Sequence, residues 1–151
     1  LLRRHAPLHV VTHFNHPREL TAEAVAACGR LVDAGVPLEN QAVLLAGVND
    51  RIDVLEALCR GLLAARVRPY YLHQCDPVAG TAHFRTPLEV GQRLVGQLHG
   101  RIAGLGVPRF AVDTPGGHGK VILAPDSPLR REGDFVLLRA PDGTVVRYLD
   151  V

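Results

Sequence analysis

Methionine and tryptophan are missing from these 151 residues, aromatic residues make up 5%, there are three cysteines, and lysine occurs once, at position 120. Each scarcity excludes something. Without methionine the sequence holds no native start, so it is expected to be a processed chain or the C-terminal part of a longer one. Cys28, Cys59 and Cys75 form an odd set, 31 and 16 residues apart. That spacing is neither a disulfide framework nor a cluster or zinc motif, and it suits a reducing, cytoplasmic setting. No apolar run approaches the ~20 residues that cross a bilayer, and Leu1 to Val10 carries two arginines and two histidines where a signal peptide needs an apolar core. No membrane partner is expected. A net charge of +2 with scattered arginines gives no basic stripe, so no nucleic-acid partner is expected either. What is there, 47% hydrophobic and 21% charged residues, describes a globular chain of single-domain size.

Short apolar segments alternate with amphipathic ones. Leu8 to Phe14, Gln41 to Ala46, Val67 to His73 and Phe110 to Asp113 read as strands. Between them, Thr21 to Ala34 places Val25, Cys28, Leu31 and Val32 on one helical face, and Gly35 stops it. Asp50 is expected to cap a helix striped by Ile52, Leu55, Cys59 and Leu62. Thr86-Pro87-Leu88-Glu89 reads as N-cap, first-turn proline and capping-box glutamate of a third helix, continued by Leu94, Leu98, Ile102 and Leu105. A hairpin is expected at Phe135 to Arg139 and Thr144 to Leu149, around Pro141-Asp142-Gly143. Strand–helix alternation with nearly continuous apolar strands means an α/β fold with a parallel sheet; pattern alone does not separate barrel from open sheet. His13, Asn15, His16, His73, Gln74, Asp76 and Asp113 all follow strand C-terminal ends, the rim where α/β folds keep their sites. Asn40-Gln41, at a strand start, breaks that regularity.

Chemistry concentrates in "VDTPGGHGKVIL", Val112 to Leu123. Gly116, Gly117 and Gly119 permit positive φ and close approach of backbone N–H groups to a phosphate. The loop is not a Walker motif, since Thr114 replaces its first glycine and Val121 its Ser or Thr. A desolvated amine can form an imine with an aldehyde, and arginine cannot; pyridoxal phosphate carries both aldehyde and phosphate. The plain alternative is a flexible turn with a solvated lysine. In "THFNHP", His13 and His16 have a metal-compatible spacing but lack the third and fourth ligands. No metal site is therefore assigned. Asp76 and Asp113 can clamp a substrate cation or act as acid and base; otherwise they are loop caps.

Together "THFNHPRELT", "AGVPLENQAVLLAGVND", "RVRPYYLHQCD", "GTAHFRTPLEVG" and "FAVDTPGGHGKV" resemble the lysine 2,3-aminomutase family of radical S-adenosylmethionine (SAM) enzymes. The resemblance runs from about Leu8 to Lys120 and more weakly beyond. It implies that these parallel βα units are the C-terminal part of a partial TIM-like radical SAM barrel (1–124), followed by a C-terminal β-hairpin extension (125–151). It further implies that Lys120 carries pyridoxal 5′-phosphate, that Gly116, Gly117 and Gly119 cradle it, and that His13 and Gln41 line the cofactor site beside S-adenosylmethionine. Asp76 and Asp113 match the pair that binds the side-chain ammonium of L-lysine, a small-molecule substrate. Two carboxylates favour a cation over glutamate.

The implied reaction uses a radical from S-adenosylmethionine, cleaved by a 4Fe-4S cluster, to move the amino group from carbon 2 to carbon 3 of lysine. The family's Cys-x3-Cys-x2-Cys cluster motif does not occur in this chain. Alone, the chain is expected to be inactive, and the full-length protein a homo-oligomer. Arg51 stands where a zinc-binding cysteine is usual, His73 where a tyrosine is usual, and His118 replaces a glycine. The alternatives are the β-lysine-forming enzyme that serves elongation factor P, a non-catalytic remnant, and an unrelated metal-dependent hydrolase.

Overall fold

A computed structural model of the protein describes residues 2–5 and 7–150. Leu1 and Val151, the outer bounds of the two expected segments, lie outside the described residues, as does Ala6. The element order alternates as the apolar pattern implies: β1 (Val10–Thr12), α1 (Ala22–Asp33), β2 (Leu38–Leu44), α2 (Ile52–Ala64), β3 (Arg68–Gln74), α3 (Leu88–His99) and β4 (Arg109–Asp113). The first four strands lie side by side in sequence order and all run parallel. A short strand that the sequence reading left inside the glycine loop, β5 (Lys120–Ile122), then adds antiparallel to β4. The edges of this five-stranded sheet are β1 and β5.

Right-handed crossovers between sequential parallel strands put every helix on the same face of the sheet. That face holds the core. Leu44, Leu72 and Leu98 are fully buried, and Leu55, Leu58, Leu62 and Phe110 nearly so. Alternation along the strands then sends the intervening residues to the opposite face. The register pairs Gln41 with Tyr71, Val43 with His73, His73 with Ala111, and Asp113 with Lys120. One open face therefore carries Gln41, Tyr71, His73, Asp113 and Lys120.

The C-terminal hairpin forms, with strands β7 (Phe135–Arg139) and β8 (Val145–Leu149) around a turn where Gly143 has φ 88°. A third strand, β6 (Arg130–Glu132), pairs with β7 and completes a small antiparallel sheet. Val136, Leu138 and Tyr148 of this sheet join the same hydrophobic cluster as the helices.

Helix starts differ from the sequence reading in an informative way. Arg51, not Asp50, is the N-cap of α2, and no side chain caps it. Thr86 does not cap α3. Pro87 holds that position, and the Thr86 hydroxyl has no partner among the described residues. The orphan N–H of Leu88 instead donates to Asp150 Oδ1 at 3.1 Å, so a carboxylate 62 residues away caps the helix. Arg131 binds the other Asp150 oxygen at 2.5 Å and both oxygens of Glu89 at 2.6 and 2.7 Å. Glu89 serves this ion cluster rather than a capping box. The helix ends at His99, so Leu105 lies beyond it and is 63% exposed.

Gly91 of α3 sits directly over the ring of Phe110: a Cβ there would stand 2.2 Å from Phe110 Cζ. Ordinary Gly→Ala exchange inside a helix gains up to about 1 kcal/mol. Here overpacking outweighs that gain, so Gly91→Ala is expected to lower unfolding free energy by about 1–3 kcal/mol in urea titration. A midpoint equal to or above that of the parent chain would contradict the close helix–sheet contact.

Candidate functional site

Between Asp113 and Lys120 the chain reverses direction within six residues, and three glycines make this possible. Gly116, Gly117 and Gly119 adopt φ of 80°, 79° and 95°, conformations that side-chain-bearing residues rarely tolerate. Thr114 closes the loop: its backbone N–H and its hydroxyl both donate to Gly119 O, at 3.0 and 2.6 Å. The closure sets Lys120 opposite Asp113 in the β4–β5 register. His118 leaves the loop to meet Asp142 in the hairpin turn, Nδ1 to Oδ2 at 3.0 Å. The imidazole beside it holds the Asp142 carboxyl at about 2, with help from the Thr144 backbone N–H.

Lys120 Nζ, the lone side-chain amine of the sequence, donates to Asp113 Oδ1 at 2.6 Å and lies 3.2 Å from His73 Nδ1. The second Asp113 oxygen, Oδ2, stands 3.2 Å from the same His73 nitrogen. One carboxylate thus stands beside both the amine and the imidazole nitrogen. Tyr71 completes the group, its ring 5.3 Å from Nζ and edge-on to His73 at 5.4 Å. Burial, then the charge of Lys120, holds His73 below its ordinary value near 6.5, while Asp113 and Asp76 pull the other way. His73 Nε2 is buried and has no hydrogen-bond partner among the described residues.

Asp76, expected on the same rim, is exposed just past β3. It lines a cleft of about 270 Å³ together with Pro77, Val78, Asp113, Thr114 and Pro115. A larger cleft, about 340 Å³, lies at the other end of the strands among Arg68, Tyr70, Pro108 and Arg109, away from these groups. It contains none of the expected site residues. Gln41 stands half-buried on the open face, two residues along from Val43, which pairs with His73. His13 is exposed just after β1. His16 is used locally: its Nδ1 accepts from Arg18 N–H at 3.1 Å. Among the described residues no group of three or more His, Cys, Asp or Glu side chains is placed to hold a metal. The three cysteines are free and buried, and burial pushes the Cys59 thiol to about 12.

Two buried asparagines that the sequence reading did not assign build the rim near β1. Asn40 Oδ1 accepts from Thr12 and from Phe14 N–H at 2.9 and 2.8 Å, and its amide donates to Phe14 O at 3.0 Å. Asn49 donates to Asn15 O and Val43 O, both at 2.8 Å, while Asn15 Oδ1 accepts from Val43 N–H. The signal was present in "ENQ" and "GVND", polar amides embedded in apolar strand-and-turn sequence.

The lysine–carboxylate–imidazole group lies on the helix-free face of the sheet, at the rim where the strands β3 and β4 end, within an α/β fold. This fold resembles that of a radical SAM methyltransferase from Sphaerobacter thermophilus (TM-score 0.56, 23% identity, 73% of this chain and 36% of that one). The family model described as Lysine-2,3-aminomutase matches residues 95–150. L-lysine 2,3-aminomutase of Clostridium subterminale is 46% identical over 148 residues, 98% of this chain and 36% of that protein. The Bacillus subtilis (strain 168) protein of the same name is 45% identical, over 98% of this chain and 31% of its own length. Glutamate 2,3-aminomutase of Clostridioides difficile (strain 630) is 41% identical over 99% of this chain and 36% of that protein. The chain belongs to the lysine 2,3-aminomutase family and corresponds to its C-terminal part. It spans about a third of the length of the curated relatives it matches.

His73 gives the fold a testable pH response. Because the folded protein holds this imidazole below 6.5, the unfolded chain takes up its proton first as pH falls. The stability it contributes is full above the unfolded value and is lost as pH drops from there through the folded value. Thermal melts from pH 8 to pH 5 should therefore fall less steeply for His73→Gln than for the parent; parallel curves would contradict the burial-driven shift.

Proposed function

We propose that this chain is the C-terminal part of a full-length L-lysine 2,3-aminomutase, with Lys120 as the anchor for pyridoxal 5′-phosphate. One observation carries the reading. The only amine in a chain of sixteen arginines lies beside an imidazole and a carboxylate, at the end of a glycine loop. The residues fit that cofactor: Lys120 is partly buried, Gly116, Gly117 and Gly119 carry no Cβ and hold positive φ, with open space beside Gly117, and His73 Nε2 is a buried polar atom without a partner among the described residues. When bound, the pyridine ring supplies an electron sink that spreads the spin of a substrate radical.

The chain's own residues do the rest. The loop glycines take the phosphate, and Tyr71 lines the space beside Nζ. Asp76 and Asp113 face one cleft and bind a substrate side-chain ammonium, a choice that two carboxylates impose by repelling an acidic side chain. That charge logic favours lysine over glutamate, although one relative carries the glutamate name. Asp113 Oδ1 becomes available to such an ammonium only after Lys120 has lost its own positive charge. His13 and Gln41 face S-adenosylmethionine. The 4Fe-4S cluster and its ligands come from a part of the full-length protein outside this chain.

Helices all on one face of sequentially ordered parallel strands support a barrel, whose interior is the open face with Tyr71, His73 and Lys120. The described residues 125–150 extend it rather than form a separate body, since Val136, Leu138 and Tyr148 share the core. Among the described residues no helix is long and apolar enough to cross a membrane. Three unpaired thiols suit a cytoplasmic enzyme, and the full-length protein is taken as a homo-oligomer acting on a free amino acid.

Full-length protein incubated with pyridoxal 5′-phosphate and reduced with borohydride should carry a pyridoxyl group on Lys120, and Lys120→Arg should carry none. Asp76→Asn should keep its full cofactor content while the KM for lysine rises about 10- to 100-fold, the worth of one charged hydrogen bond. Adduct elsewhere would remove the anchor; an unchanged KM would remove Asp76 from the clamp.

A further inference from the structure

We propose that His73 is the base that removes the proton from Lys120 when the cofactor is loaded, with Asp113 as the counter-ion that follows that proton. The inference rests on Lys120 being the cofactor anchor. An amine attacks an aldehyde only through a free electron pair, and a charged Lys120, paired with Asp113 Oδ1 at 2.6 Å, has none. The proton on that ammonium stands in conflict with the chemistry. The neighbouring imidazole resolves this conflict.

The geometry of the three groups describes one mobile proton. His73 Nδ1 lies 3.2 Å from Lys120 Nζ and 3.2 Å from Asp113 Oδ2. With Lys120 charged, an Nζ–H donates to the Nδ1 lone pair, which places the ring's own hydrogen on Nε2. In the transfer, the Nζ–H bond breaks, its electron pair stays on nitrogen, and an Nδ1–H bond forms. The new imidazolium donates to Asp113 Oδ2 across a contact already in place. No heavy atom needs to move for the charge to keep its partner, because one carboxylate touches both nitrogens. The Asp113 side chain is 48% exposed, so the proton has an exit to water.

The surroundings favour a base at neutral pH. His73 is held below its ordinary value by burial and by Lys120 on β5; Asp113 on β4 and Asp76 beyond β3 oppose this shift, Tyr71 stands edge-on, and β2 places apolar Val43 opposite. A neutral ring keeps its lone pair. The buried Nε2 finds no acceptor among the described residues.

The test follows attachment of pyridoxal 5′-phosphate to the full-length protein, stopped with borohydride at intervals and mapped by mass spectrometry, from pH 5.5 to 9.5. For the parent the rate should be nearly level from pH 7 upward and fall below His73's titration. For His73→Gln and His73→Asn the rate at pH 7 should drop about 10²-fold, the scale of general base catalysis, then climb tenfold per pH unit toward the parent rate. Partial rescue of His73→Asn by added imidazole is also expected. Equal rates in parent and variants at pH 7, or a loss of the same size at every pH, would overturn the base assignment. If neither variant folds, the parent profile decides: a rate rising tenfold per unit through pH 6 to 9 overturns the proposal. Parent adduct absent from Lys120 would instead sink the anchor reading, an outcome separable from the others.

Discussion

Six residues connect Asp113 to Lys120, and the site depends on how they turn. A parallel strand that ends at the rim would ordinarily send its chain into a helix on the covered face. Here the backbone doubles back, because Thr114 ties its N–H and hydroxyl to Gly119 O while three glycines accept positive φ. The reversal creates β5, and its register sets an amine against a carboxylate on the helix-free face. Without the antiparallel strand, Lys120 would leave the sheet, and His73 would lose a neighbour that now presses on its titration. The hairpin turn supports the loop from outside, through Asp142 on His118 and Pro141 packed near Gly119.

The rim is held by amides as much as by ion pairs. Asn40 and Asn49 are essentially inaccessible to solvent and together satisfy backbone groups of Phe14, Asn15, Val43 and Leu45. A short first strand of three residues cannot fix the segment after it by ladder bonds alone. Buried side-chain amides replace the missing ladder, and a group that leaves any of these backbone partners unmatched would be costly. Position 13 is displayed by this scaffold, and the local cap at His16 and Glu19 settles the following turn.

Periodicity exposed the parallel α/β frame, the rim of His13, His73, Asp76 and Asp113, and the glycine–lysine loop, since each is a local property of composition. Three things escaped it. The cap of α3 comes from Asp150, whose distance along the chain hides it from any window of neighbouring residues. Strand β5 escaped because three residues after a glycine run show no alternation worth reading, and pairing with β4 alone makes them a strand. His73 was visible as a rim residue, yet its chemistry depends on nitrogen and oxygen atoms from three strands meeting within 3.2 Å. Family resemblance supplied the identity of the chain; the sheet register supplied the neighbours.

The scarcity of lysine has a consequence for handling the molecule. A lysine-specific protease finds one peptide bond to cut in this sequence, between Lys120 and Val121, and that bond lies inside β5 where the β4 ladder covers it. Trypsin finds it too, releasing 110–120 and 121–130 as separate pieces between Arg109 and Arg130. A bulky group on the lysine nitrogen, such as pyridoxyl, abolishes that cut and fuses the two into a single peptide, 110–130. The digest pattern of this one stretch is thus a direct count of how many copies carry a modified amine.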